Sequence, residues 1–265
     1  MTSESDDPPG ASPDAPTTGG GDVGRTLELL WDSAPRPGRG PRPGLSVDQI
    51  VDVAVRMADT QGLEAVSMRR VAGELGVGTM SLYRYVPGKA ELLDLMLDRV
   101  QRPIDREAGL GDGTWRSALE TLARESLALY RRHPWLLQVN QSRPVLGPGA
   151  MDGLELALAH IRPMGLPDVE LVSALLLVDG YVVGAARRQI YREEAERRSG
   201  VAASDFFDSQ RPALERAMTS GRYPVLASLS EDAWGPDFPH FEFGLRRLLD
   251  GLELLVEEHG GGEGS

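Results

Sequence analysis

"LGVGTMSLYRYVPGKAELL", residues Leu75–Leu93, decides how this chain is read. Two tyrosines, an arginine and a lysine fall within seven residues, too polar a run for a simple core helix. Gly76 permits a tight turn, because glycine reaches a positive φ at little cost. A short helix is expected from Gly78 to Tyr85, with Leu82 turned inward and Thr79, Met80, Tyr83 and Arg84 on another side. Pro87 and Gly88 interrupt it. Lys89 opens a further helix, whose stripe of Leu92, Leu93, Met96, Leu97 and Val100 has helical spacing. A helix as short as Gly78–Tyr85 is marginal in water, so its neighbours must hold it.

The residues on the N-terminal side supply that support. Ser46 is a good N-cap with Gln49 at the capping-box position, and Leu45 and Ile50 occupy the hydrophobic-staple positions. Ile50, Val53, Ala54, Met57 and Ala58 then repeat at helical spacing until Gly62 supplies a stop. A second, shorter helix begins at a Ser67 cap. It turns Val71, Ala72 and Leu75 inward and leaves Arg69 and Arg70 outside. Two short helices joined by a tight turn on a longer one make a helix-turn-helix, whose second helix fits a major groove about 12 Å wide. Generic packing of short core helices is the competing reading of the pattern alone.

Charge is unevenly spread. The chain of 265 residues has a formal charge of −12. Residues 34–89, however, hold eight basic and five acidic side chains, against one and seven in residues 1–33 and 19 and 28 in residues 90–265. A local excess matters more for a DNA surface than the sum does. Ahead of the helices runs "PRPGRGPRPG", with Arg36, Arg39 and Arg42 three apart. It is read either as a hydrated linker or as a basic arm that touches phosphates or enters a minor groove. Residues 1–22, mostly Pro, Gly, Ser, Thr and Asp, are expected to be disordered. A short helix is possible at 24–31, and residues 260–265 read as a disordered tail. The absence of cysteine excludes disulfides and thiolate metal sites. No secretory signal is visible. The most apolar stretch, around "LVSALLLVDGYVVGAA", contains Asp179 and is read as short of a membrane span, so a soluble cytoplasmic protein is expected.

The stretch "IVDVAVRMADTQGLEAVSMRRVAGELGVGTMSLYRYVPGKAELLDLML" resembles the N-terminal domain of the TetR family, the tetracycline-repressor-like bacterial regulators. The glycine after the first helix, the small hydroxyl cap, "VAGELGV", "LYRY" and the lysine opening the next helix carry the likeness over about fifty residues. Near the end, "FEFGLRRLLDGLELLV" resembles the last helix of the tetracycline-repressor-type regulatory domain. The resemblance implies an all-α homodimer. A three-helix helix-turn-helix domain at 45–91 would join a helical ligand-binding and dimerisation domain at 92–259, and the whole would act as a ligand-responsive repressor on a palindromic operator. By the same analogy Tyr83 and Lys89 contact backbone phosphates, Tyr85 approaches the backbone, and Arg69, Thr79, Met80 and Ser81 reach bases or nearby phosphates. Gly78 stands where several relatives carry a polar side chain, which leaves that position without a side-chain contact and the operator sequence open. With Ser67, Arg70, Arg84 and the three arm arginines, these residues make up the candidate DNA surface.

The rest of the chain reads as helices. Trp115, Ala118, Leu119, Leu122, Ala123 and Leu127 are periodic within Thr114–Arg131, Pro134 suits a new first turn, and another helix is expected from about Pro148 to His160. A long helix after Pro167 is apolar nearly all round from Leu171 to Ala186, so it must be buried on more than one side. In the last helix Phe241, Leu245, Leu248, Leu252 and Leu255 repeat, and Gly244 and Gly251 would let a partner helix approach. Packing these two helices on their symmetry mates would make a four-helix interface. Its candidate residues are Leu175, Val178, Val182, Gly244, Leu248, Gly251, Leu252 and Leu255. The alternative is a monomer in which they close its own core. Residues 194–237 are read as less regular, with one short helix and a loop.

The family encloses its effector among the middle helices. Trp115, Trp135, Asn140, Met151 and Tyr181 are the residues to inspect for a partly apolar small molecule, each with an ordinary structural reading beside it. No cofactor or metal is expected, since His133, His160, His240 and His259 form no short ligand motif. An activator of the same fold, a helical enzyme and a protein-interaction adaptor remain as alternatives.

Overall fold

A computed structural model describes residues 15–32, 45–103, 112–230, 233 and 238–260. Arg36, Arg39 and Arg42, and the disorder expected of residues 1–14 and 261–265, lie outside the described residues. Among those described, secondary structure is helical except for one isolated parallel bridge between Thr17 and Asn140. The chain forms two compact units that divide between Leu176 and Leu177.

In the first unit, α1 (Val23–Asp32) precedes α2 (Val47–Gln61). The Ser46 hydroxyl accepts the Gln49 N–H at 3.2 Å and the Gln49 side chain accepts the Ser46 N–H at 3.0 Å, a complete capping box. Gly62 ends the helix at φ 86°. Helix α3 (Met68–Glu74) starts at Ser67, whose hydroxyl accepts the Arg70 N–H at 3.3 Å. Gly76, at φ 68°, makes the turn into α4 (Thr79–Leu82). Helix α4 is shorter than the expected Gly78–Tyr85. Past Leu82 the chain tightens, because the amides of Tyr85 and Val86 both return to the Leu82 carbonyl, at 2.9 and 3.0 Å. Helix α5 (Lys89–Gln101) follows.

One apolar core holds this head together. Ile50, Ala54, Val66, Val71, Leu82, Val86, Leu92 and Met96 are all buried in it. Trp135, Leu136 and Val139 join the same core from a 3-10 turn (Pro134–Gln138) after α6 (Trp115–Arg132). Helix α6 is capped by Thr114 and buries Ala118, Leu119, Ala123 and Leu127, the expected face. Helix α7 (Pro148–Ile161) packs on both α5 and α6.

Residues 15–22 depart from the expected disorder. Thr18 donates its N–H to the Asn140 carbonyl at 3.1 Å, and the Gly19 N–H meets the Asp94 carboxylate at 3.1 Å. Composition misled because this segment is held by hydrogen bonds from its backbone amides and the buried Thr18 hydroxyl rather than by apolar burial.

Helix α8 (Asp168–Ser199) runs unbroken through Asp179 for 32 residues. By length and composition it could cross a membrane, contrary to expectation. It nevertheless buries a stripe of Leu171, Ala174, Val178, Val182, Ala186 and Ile190, spaced three or four apart as on one helix face.

The second unit contains the C-terminal part of α8, then α9 (Ala203–Thr219), α10 (Pro224–Ala227) and α11 (His240–Gly260). Residues 194–219 are thus more helical than expected, with ion pairs one turn apart, Glu194–Arg198 and Asp208–Arg211, to support them. Tyr181 stacks on Phe241, ring centres 5.7 Å apart, and donates its hydroxyl to the carbonyls of His240 and Phe241 at 3.0 and 2.9 Å. A Cβ added at Gly244 would collide with the Tyr181 ring and hydroxyl. Gly244 therefore makes room for an aromatic side chain of its own chain.

Candidate nucleic-acid interface

The turn–helix pair displays its polar side chains because Leu82 and Val86 anchor it from beneath, both fully buried. Met80 is 75% exposed and Tyr83 43% exposed. Thr79 and Ser81 are half-buried between them. Arg69 and Arg70 stand exposed on α3, Arg84 just beyond α4, and Lys89 on the first turn of α5.

Electrostatics separate this surface from its surroundings. Among the described residues no carboxylate pairs with Arg69, Arg70, Arg84 or Lys89; Arg70 instead reaches the Gln61 side-chain carbonyl. On the same head Asp48 and Asp52 are both taken by Arg99. Cations without counter-charges beside a short exposed helix can meet phosphates.

Two sequence-derived candidates have other work. The Ser67 hydroxyl is engaged as the α3 cap. Tyr85 is half-buried and its ring packs on the head core. The first turn of α5 also carries Glu91, a buried carboxylate that accepts the Asp22 N–H at 2.9 Å.

The residues named for an effector pocket each have their own local surroundings. Trp135 is 1% exposed and donates its indole N–H to Asp59 Oδ1 at 2.8 Å, so it belongs to the head. Asn140 pairs with Pro16 and Thr18 through its backbone, and its side chain accepts the Ser142 N–H at 3.0 Å. Met151 is exposed, Trp115 is half-buried, and Tyr181 is engaged with α11. The dimer set divides too. Val178, Val182 and Leu252 are buried in their own chain, whereas Leu175, Leu248 and Leu255 are half-buried and Gly251 is exposed with open space above it. Among the exposed apolar side chains of the second unit are Leu177 on α8 and Phe243 and Leu254 on α11, with Phe206, Phe207 and Leu214 exposed on α9.

Sequence reasoning missed Asp59. It lies on the last turn of α2, and its Oδ1 also meets His133 Nδ1 at 2.7 Å. Two ring nitrogens on one carboxylate fasten the head to the segment after α6. No local spacing announces it, because the partners lie 74 and 76 residues away. Among the described residues no group of three His, Asp or Glu is arranged to hold a metal.

Comparison with known proteins agrees with this geometry. Residues 50–96 match the family described as "Bacterial regulatory proteins, tetR family", and residues 108–256 match "Tetracyclin repressor-like, C-terminal domain". The HTH-type transcriptional repressor DrrR1 of Streptomyces coeruleorubidus is 68% identical over 92% of this chain and 91% of its own. A solved structure of ActR from Streptomyces coelicolor in complex with actinorhodin is 27% identical, with a TM-score of 0.65, over 80% of this chain and 96% of that one. ActR in complex with (S)-DNPA aligns with a TM-score of 0.59 at 26% identity, over 80% of this chain and 99% of that one.

Proposed function

This chain belongs to the tetR family of bacterial regulatory proteins, and from that premise we propose that it is a repressor which binds a palindromic operator as a homodimer and lets go when a small molecule binds. The observation that carries the DNA reading is the group of four cations without carboxylate partners around α4. In this reading Tyr83 and Lys89 meet phosphates, with Arg70 and Arg84 flanking them, and Arg69, Thr79, Met80 and Ser81 choose the bases. Arg36, Arg39 and Arg42 add phosphate contacts from the stretch before α2. The functional head spans residues 45–91.

Repression, rather than activation, is supported by the likeness to a protein named as a transcriptional repressor over nine-tenths of both chains. A small-molecule effector is supported by the likeness to ActR, which has been solved with actinorhodin and with (S)-DNPA. Dimerisation is assigned to α8 and α11, through the half-buried Leu175, Leu248 and Leu255 and the exposed Leu177, Phe243, Gly251 and Leu254, while Val178, Val182 and Leu252 pack within their own chain. Such a protein works in the cytoplasm, where the DNA is, and the mechanism needs neither cofactor nor metal. Release follows if the effector binds more tightly to a dimer whose heads do not match the operator spacing.

Selection from a random duplex pool tests the reading. The expected product is an inverted repeat whose half-sites lie about 34 Å apart or a multiple of that. A pool returned without enrichment would defeat it.

A further inference from the structure

Helix α5 is covered on every side. All eight residues from Glu91 to Asp98 are buried, and three of them are acids. Glu91, Asp94 and Asp98 recur three and four residues apart, which places them on one face of the helix. Acids are rarely buried unless something satisfies them. Among the described residues the one cation near them is Arg102, 3.9 Å from Asp98 and itself half exposed.

Backbone amides from distant segments do the satisfying. Glu91 Oε1 accepts the Asp22 N–H at 2.9 Å, Asp94 accepts the Gly19 N–H at 3.1 Å, and Asp98 Oδ1 accepts the Ala150 N–H at 3.1 Å. The other side of the N-terminal segment is gripped as well. Pro16 and Thr18 bracket Asn140 with backbone bonds of 2.9 and 3.1 Å, and the Thr18 hydroxyl donates to the Arg143 carbonyl at 2.8 Å. At the far end, Trp31 donates its indole N–H to the Leu146 carbonyl at 3.2 Å. Gly21 lies so close to α5 that an added Cβ would strike the Glu91 carboxylate.

Residues 16–32 therefore hold two things at once. One is the first two turns of α5, where Lys89 stands; the other is the stretch 140–146 that leads into α7. We propose that this segment is a clamp, which fixes α5 against the 140–150 stretch and thereby sets the direction of the reading head and the half-site spacing the dimer accepts. The proposal rests on the DNA-binding reading above. It makes Thr18, Gly21, Glu91 and Asp94 positioning residues that touch no DNA.

The test uses the full-length protein and palindromes built from the selected half-site, with the centre lengthened or shortened one base pair at a time. The wild type should prefer one spacing. In the double variant Thr18→Val, Gly21→Leu, that preference should fall about tenfold, as expected for the removal of a few hydrogen bonds, while affinity for the best spacing stays within about twofold. Lys89→Ala should instead weaken all spacings alike, and Arg25→Ala, on the exposed side of α1, should change nothing. A variant lacking residues 1–22 removes every grip except the Trp31 bond to Leu146, and Thr18→Val alone serves if that variant does not fold. Unchanged spacing preference in these variants, or a wild type indifferent to spacing, would overturn the clamp. A wild type that binds no duplex at all would instead defeat the DNA-binding reading, a separate result.

Discussion

Asp59→Ala strands a donor in the core of the head. The carboxylate accepts the Trp135 indole N–H at 2.8 Å and contacts His133 Nδ1 at 2.7 Å. Trp135 is 1% exposed, whereas the Asp59 side chain is 24% exposed, so water can reach the vacated acceptor position only from its open side. A buried donor left unsatisfied costs about 1–3 kcal/mol, and the second bond adds about 1 kcal/mol. The sum, roughly 2–4 kcal/mol, should lower the melting temperature by about 5–15 °C in a domain of this size. Asp59→Asn keeps an oxygen in the same place and should cost only about 1 kcal/mol. Far-ultraviolet circular dichroism during heating measures both. A double-mutant cycle with Trp135→Phe isolates the cause, because Asp59→Ala should be much milder where there is no indole N–H to strand. If Asp59→Ala melts with Asp59→Asn, or if the cycle shows no coupling, the account of this junction is wrong.

Lys89→Ala should weaken binding to all operator variants alike. Each copy then neutralises one phosphate fewer, so the slope of log affinity against log salt should flatten by about 2 in a dimer complex measured by fluorescence anisotropy. Gly149→Ala should destabilise by about 1–3 kcal/mol, read as a lower melting temperature, because the added Cβ collides with the Asp98 backbone carbonyl. Burial pushes the Asp94 carboxyl above its ordinary value, the Gly19 N–H opposes that and Glu91 adds to it. Ionised Asp94 thus costs stability, a cost absent below the ordinary carboxylate range and fully present above the raised value. The melting temperature of Asp94→Asn relative to wild type should therefore climb as pH rises through that window, and a flat difference would contradict it. Deletion of residues 33–44 together with restoration of the connection by a glycine–serine linker should lower operator affinity without changing the mass of the dimer; equal affinity would leave Arg36, Arg39 and Arg42 as linker residues.

The head was legible because its punctuation is local. Ser46 with Gln49, Gly62, Ser67 and Gly76 each act within a few residues of themselves, and the structure uses every one. Much less could be read where an outcome depends on which distant segment arrives. Nothing within "ELLDLMLD" announces what its acids do, because they serve as acceptors for amides from Gly19, Asp22 and Ala150, all distant in sequence. Trp135 passed for a pocket wall because bulk alone does not reveal that Asp59 awaits its N–H. Gly244 and Gly251 share a seven-residue spacing but not a role: one makes room for Tyr181 and the other faces open space. An apolar stripe on α8 or α11 says that a side is buried, not whether the covering surface is the chain itself or a copy of it.

The central claim is that paired copies read two halves of one duplex. Multi-angle light scattering of the protein with its selected palindrome tests it most directly. The account requires two chains per duplex, with a half-site fragment bound far more weakly. A complex of one chain per duplex, formed as readily on the half-site or on a scrambled sequence, would contradict it.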